Sequence, residues 1–138
     1  MFDREAVSVN DDTLPLPGST RRILIVEDNE AAGIGLAKLL RIQGFTVTIV
    51  YDGAAAIEIL ARGIPFDSLL IDLRLPDFDG RELAFQARRL SPASRLLLMT
   101  GWDFETGTDH PFRWGIERVI SKPIDINLLL DVLNETGH

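Results

Sequence analysis

The run Arg22-Ile23-Leu24-Ile25-Val26 closes on the acidic pair Glu27-Asp28, and a second run, Ser68-Leu69-Leu70-Ile71, closes on Asp72. Short apolar runs of this kind, separated by helix-period segments, read as buried parallel strands, and ligands in such sheets bind just past the carboxyl ends of the strands. The three acids are therefore expected to meet at one sheet edge. Like charges crowded together raise one another's proton affinity and are costly to keep ionised unless a hard divalent cation such as Mg²⁺ sits among them. The chemistry indicated is that of a metal-dependent acidic pocket.

Positioning such a pocket takes the rest of the chain. Strands are expected at Arg22 to Val26, Thr46 to Val50, Ser68 to Ile71, Arg95 to Met99 and Glu117 to Ile120, each short and rich in β-branched residues or leucine. Helix-like stretches lie between and after them: Glu30 to Gln43, Ala54 to Arg62, Gly80 to Leu90, an irregular one within Asp103 to Trp114, and Asp125 to Asn134. Alternation of this kind requires right-handed crossovers and a parallel sheet covered on both faces. The expected fold is α/β, a flavodoxin-like (βα)5 three-layer sandwich with strand order 2-1-3-4-5. In that order the first and third strands are neighbours at the switch point, which brings Glu27, Asp28 and Asp72 together.

Composition limits what the pocket serves. The 138 residues are 46% hydrophobic and 25% charged, enough chain for one full core, and the net charge of −7 argues against direct binding of nucleic acid or anionic membrane. There is no cysteine, so disulfide and thiolate chemistry are excluded, and His110 and His138 are too few for a histidine metal site. No run approaches a membrane span and the start Met1-Phe2-Asp3-Arg4-Glu5 lacks a signal-peptide layout, so a cytoplasmic location is expected. Residues 1 to 20 hold Asp3, Glu5, Asp11 and Asp12 against Arg4, with Pro15, Pro17 and Gly18 and no sustained period, and read as a flexible acidic tail. Residues 21 to 138 are expected to form the folded domain.

The carboxylates belong to a larger set: Glu27-Asp28, Asp72, the run Pro76-Asp77-Phe78-Asp79-Gly80, Thr100 after the fourth strand and Lys122-Pro123 after the fifth. Taken together and in this order, these features resemble the receiver domain of two-component response regulators across nearly all of residues 21 to 138. The resemblance implies that Asp72 accepts a phosphoryl group from a phosphohistidine on a histidine kinase or histidine phosphotransfer protein. It implies Mg²⁺ held by Asp28 and Asp72, by Glu27 directly or through water, and by the backbone carbonyl of Arg74. Lys122 would pair with the transferred phosphoryl as a compact charge with three donors, and Thr100 would give it a hydroxyl hydrogen bond. Gly101 leaves room for the anion to approach backbone N–H groups. A cis Lys122-Pro123 bond is implied as well.

Other residues read more simply. Asp52-Gly53 and Asp125 suit a turn and a helix cap, Asp79-Gly80 suits the start of the third helix, and Gly33-Ile34-Gly35 lies inside a helix pattern rather than a nucleotide loop. Trp102, Phe104, Phe112 and Trp114 read as core or surface anchors. Two departures bear on switching. Many receivers carry an aromatic residue three positions before the active-site lysine; Val119 stands there, so the aromatic arm of the switch is absent or replaced. Gly107 and Pro111 interrupt any helix within Asp103 to Trp114, which is expected to be short or irregular and responsive to partners. Bulky Arg74 and Trp102 are expected to flank the approach of hydrolytic water and slow loss of the phosphoryl group. Only Gly137-His138 follow the last helix, so the expectation is a stand-alone receiver that acts by docking to a downstream protein target. The alternatives are a receiver module or fragment of a hybrid histidine kinase and, less favoured because Arg74 stands where a second acid is wanted, an aspartate-dependent phosphatase.

Overall fold

The structure is a computed structural model that describes residues 21–101 and 115–135. All five expected strands form: β1 (Arg22–Val26), β2 (Thr46–Val50), β3 (Ser68–Asp72), β4 (Arg95–Thr100) and β5 (Arg118–Ser121). They pair in parallel in the order β2-β1-β3-β4-β5, as the alternation required. Asp72 and Thr100, expected just beyond their strands, are instead the last residues in register, Asp72 opposite Met99 and Thr100 opposite Ser121. Ladder pairing uses backbone groups alone, so a polar side chain at a strand end does not stop it.

Four helices are described: α1 (Glu30–Ile42), α2 (Gly53–Ala61), α3 (Gly80–Leu90) and α4 (Ile126–Leu133). Each begins at a side-chain cap that takes an otherwise orphaned N–H: Asn29 from Ala32, Asp52 from Ala55, Asp79 from Arg81, and Asp125 from Asn127 and Leu128. Asp125 caps its helix and Asp79 starts α3 as expected, Asp52, expected in a turn, is the cap of α2, and Gly33 and Gly35 lie in α1 as a helix pattern requires. The expected irregular segment from Asp103 to Trp114 lies outside the described residues, as do Trp102 and the tail.

Alternation along each strand sends side chains to two cores. Leu24, Val26, Leu69, Ile71, Leu96 and Leu98 pack with Leu83, Ala84 and Ala87 of α3 and with Ala56 and Leu60 of α2. Ile23, Ile25, Leu70, Leu97, Met99 and Ile120 pack with Ala37 and Leu40 of α1 and with Leu129, Val132 and Leu133 of α4. Central strands β3 and β4 are buried along their whole length, which explains the unbroken apolar run between their polar ends.

At the amino edge of the sheet, arginines do the tying. Arg95, the first residue of β4, is buried and bonds Glu117 through its Nε and Nη2, with Nε–Oε1 at 3.0 Å, while its Nη1 donates to the Val132 carbonyl at 2.8 Å. Arg21 donates to the Leu133 carbonyl at 2.6 Å and to Asn134 Oδ1 at 2.7 Å. Arg118 pairs with Glu135 at 2.6 Å. Arg95 and Arg21 satisfy carbonyls at the end of α4, where the helix dipole also favours positive charge.

Candidate functional site

At the carboxyl edge the backbone ladders run one residue past two strands and so aim the functional side chains. Glu27 N donates to the Val50 carbonyl at 3.1 Å, and Lys122 N donates to the Thr100 carbonyl at 2.8 Å. β3 supplies Asp72 between them. Gly33 of α1 packs against Ile49 and the Glu27 side chain, so the helix closes over the end of β1 and leaves Glu27 only 4% exposed. Asp72 is buried and Asp28 is exposed.

The expected convergence occurs. One carboxylate oxygen from each of Glu27, Asp28 and Asp72 lies within 4.8 Å of the others. Lys122 Nζ stands among them, 2.9 Å from Glu27 Oε1 and 3.3 Å from Asp72 Oδ2. Glu27 is the more tightly engaged acid, because its second oxygen accepts the Asn29 N–H at 3.1 Å. Burial pulls the Lys122 pKa down, but the hydrogen bond to Glu27 and the negative charges of Asp72 and Glu27 outweigh it and hold the ammonium above the ordinary lysine range. The lysine is therefore a fixed cation at neutral pH.

The donor set suits a hard cation. It offers three carboxylates and no nitrogen or sulfur ligand, with one acid open to solvent and two held in the sheet edge, which is the environment in which Mg²⁺ keeps several waters and takes a few carboxylate oxygens. Asp28 is the acid with no protein hydrogen bond described, so it and Asp72 fit direct contact better than Glu27 does.

The remaining predicted residues fall around this cluster. The Arg74 N–H lies 3.4 Å from Asp72 Oδ1, so the Arg74 backbone borders the carboxylate while its side chain is exposed. Thr100 is buried at the end of β4, and a side-chain carbon built on exposed Gly101 would meet nothing within 4 Å among the described residues. The Lys122-Pro123 peptide is cis. Val119 is not in the pocket: it pairs in register with Leu98 and packs against the core under α2 and α3. Gly80, at the start of α3, lies so close beneath Asp72 that a methyl group there would strike the Asp72 carbonyl oxygen. Beside Lys122, a groove of roughly 300 Å³ opens between Leu36 and Leu39 of α1 and Pro123, Ile124 and Ile126 at the start of α4.

Sequence reasoning did not single out Asn29, and it named Asp77 only within the run Pro76 to Gly80, with no bonding role. Asn29 both caps α1 and holds Glu27, and an Asn ahead of a helix pattern is a readable cap signal. Asp77 accepts the N–H groups of Gly53 at 2.8 Å and Ala54 at 2.9 Å, at the start of α2. Its partners lie more than twenty residues upstream, and no local pattern marks them.

Comparison with known proteins gives the same picture. Residues 23–134 match the response regulator receiver domain family. A response regulator receiver protein of Anaeromyxobacter sp. (strain Fw109-5) is 36% identical over 112 residues, which are 81% of this chain and 47% of that protein. The chain thus spans about half the length of the relatives it matches. Among solved structures, the CheY-like receiver domain protein from Methanospirillum hungatei superposes with a TM-score of 0.77 at 28% identity, covering 83% of this chain and 91% of the other. The receiver domain of the sensor histidine kinase PA1611 from Pseudomonas aeruginosa, with a magnesium ion coordinated in its active-site cleft, gives a TM-score of 0.73 at 27% identity, covering 83% and 94%.

Proposed function

Because the chain belongs to the response regulator receiver domain family of two-component signalling, we propose that Asp72 accepts a phosphoryl group from a phosphohistidine and that the phosphorylated chain binds its protein target differently. The observation that carries the reading is Lys122 Nζ lying between Glu27 and Asp72, with Asp28 in the same cluster. In the transfer, an Asp72 carboxylate oxygen forms the new P–O bond as the P–N bond breaks. The imidazole leaves neutral, keeping its ring proton. Lys122 balances charge on the phosphoryl oxygens, exchanging part of its contact with Glu27 for the new anion. Buried Thr100 and open Gly101 take up the side of the phosphoryl group facing β4. Phosphoryl transfer asks the protein mainly for position and charge neutralisation; Asp28 and Asp72, with Glu27 and the Arg74 carbonyl, would hold Mg²⁺, which would supply the remainder of that neutralisation.

The histidine donor must reach Asp72, so the kinase or phosphotransfer partner covers the mouth of the pocket and meets the apolar groove beside Lys122. The chain works as a signalling domain, with any self-phosphorylation or loss of phosphate incidental to that. No helix among the described residues is long and apolar enough to cross a membrane. The likeness to the receiver of a sensor histidine kinase favours, as a second reading, a receiver module within a larger sensor protein. Incubation with acetyl phosphate and Mg²⁺ tests the first reading. Intact mass should show one phosphate on the wild-type chain and none on Asp72→Asn; full modification of the variant would overturn the assignment.

A further inference from the structure

The helix α2 carries two carboxylates at one N-terminus. Asp52 alone satisfies the ordinary need, accepting the Ala55 N–H at 2.8 Å from the cap position. Asp77 then takes the two preceding N–H groups, those of Gly53 and Ala54, from the loop that leaves Asp72. The next residue, Phe78, lays its ring against Gly53 so closely that any side chain at 53 would collide with it. Two consecutive loop residues therefore grip the same turn of α2.

That grip is connected to the pocket by a short and heavily bonded path. Leu75 N donates to the Phe78 carbonyl at 3.3 Å, folding the loop around Asp77, and Arg74 and Asp79 form an antiparallel bridge across its base. Leu73 N reaches the Met99 carbonyl at 2.8 Å, Gly80 N reaches the Leu73 carbonyl at 2.7 Å, and the Arg74 N–H borders the Asp72 carboxylate. A loop tied at its base by these contacts still has a free tip, and Asp77 is at the tip. We propose that Asp77 is a positioning residue: by accepting the Gly53 and Ala54 amides it pins the tip of the loop to α2 and thereby holds the Arg74 backbone in place beside Asp72. Desolvation opposes ionisation of the exposed Asp77, but the Gly53 and Ala54 amides help outweigh it and lower its pKa, so the carboxylate remains a charged acceptor down to acid pH.

This inference rests on the reading of the acidic cluster as a Mg²⁺ site, and the experiment separates the two. Asp77→Ala and Asp52→Ala each remove carboxylate capping from the same helix end, but only the first releases the loop. Mg²⁺ affinity is measured by titration calorimetry on the wild type, both alanine variants and Asp77→Asn, whose amide keeps one acceptor oxygen. Amide exchange at Arg74 and Leu75 is followed by NMR on the metal-free proteins. Asp77→Ala should weaken Mg²⁺ binding roughly tenfold, the low end of what losing an outer-shell partner costs, and should speed exchange at Arg74 and Leu75. Asp77→Asn should fall between, and Asp52→Ala should lower the unfolding midpoint while leaving both readouts at the wild-type value. If Asp77→Ala and Asp52→Ala change affinity and loop exchange equally, or not at all, Asp77 is a helix cap and the inference fails. If the wild-type protein binds no Mg²⁺, the reading of the cluster fails and takes the inference with it.

Discussion

At its amino edge the sheet gathers Arg21, Arg95 and Arg118; at its carboxyl edge it gathers Glu27, Asp28 and Asp72 around Lys122. Strand β4 belongs to both, beginning at Arg95 and ending at Thr100. The difference lies in how fully each edge satisfies its own charges. Arg95 spreads its guanidinium over Glu117, Glu135 and the carbonyls of Val132 and Leu133, so its burial is offset by partners already in place. The acidic edge sets three carboxylates against one described ammonium, and Lys122 is closer to Glu27 than to Asp72. One edge is complete without a ligand. At the other, we propose that a bound cation completes the balance.

Removing the cation from each edge should expose this difference most strongly. Arg95→Ala takes the guanidinium away from the Val132 carbonyl and from Glu117 and is expected to cost about 3 kcal/mol, the low end for breaking a buried pair, since the Glu117 side chain keeps 26% exposure. Urea unfolding should show that loss with or without Mg²⁺. Lys122→Ala strips the counter-charge from Glu27 and Asp72 and is expected to cost about 2 kcal/mol, but here millimolar Mg²⁺ should restore most of it. Equal insensitivity of the two variants to Mg²⁺ would erase the proposed contrast.

A smaller effect sharpens it. Mg²⁺ at ten times its dissociation constant should stabilise the wild-type protein by about 1.4 kcal/mol through mass action. Asp28→Ala should abolish that shift, because Asp28 is the exposed acid of the cluster and Glu27 is committed to Lys122 and Asn29. A midpoint that still climbs with Mg²⁺ in this variant would move the cation elsewhere.

The smallest effect belongs to the acidic limb of the pH–stability curve. Asp77 and Asp79 both have folded-state pKa values below the usual aspartate value of about 4, Asp77 because desolvation is outweighed by amides that include those of Gly53 and Ala54, and Asp79 chiefly through its hydrogen bond to Arg81. A depressed folded pKa contributes stability that is present above the unfolded value and is lost as pH falls through the folded one. Stability should therefore decline below about pH 4, and Asp77→Asn with Asp79→Asn should flatten that decline. Unchanged steepness in the double variant would contradict the assignment.

Much of the acidic edge was readable from residue order. Glu27-Asp28 and Asp72 close apolar runs, and alternation with helices leaves few ways to arrange those runs in a parallel sheet, so the switch point and its carboxylates follow. The helix starts at Asp79 and Asp125 were readable for a different reason, because a cap bonds within three residues of itself. Arg95 was not readable. It looks like the polar first residue of a strand, and its partners lie 22 and 37 residues away. Asp77 was hidden in the same way, with its amides 24 and 23 residues upstream. The preference of Lys122 for Glu27 over Asp72 was also beyond sequence, since it depends on tenths of an ångström at a strand end.

The placement of Arg95 and Thr100 at opposite ends of β4 bears on how this protein can change over time. Five residue steps at about 3.3 Å each put roughly 16 Å between them. Substitutions that far apart with no shared partner tend to be additive. Substitutions at Thr100, Gly101 or Arg74 can therefore accumulate at the pocket edge while the arginine clamp keeps the chain folded through intermediate steps. The same separation lets an engineer graft a different set of pocket loops onto this sheet and leave its opposite end untouched.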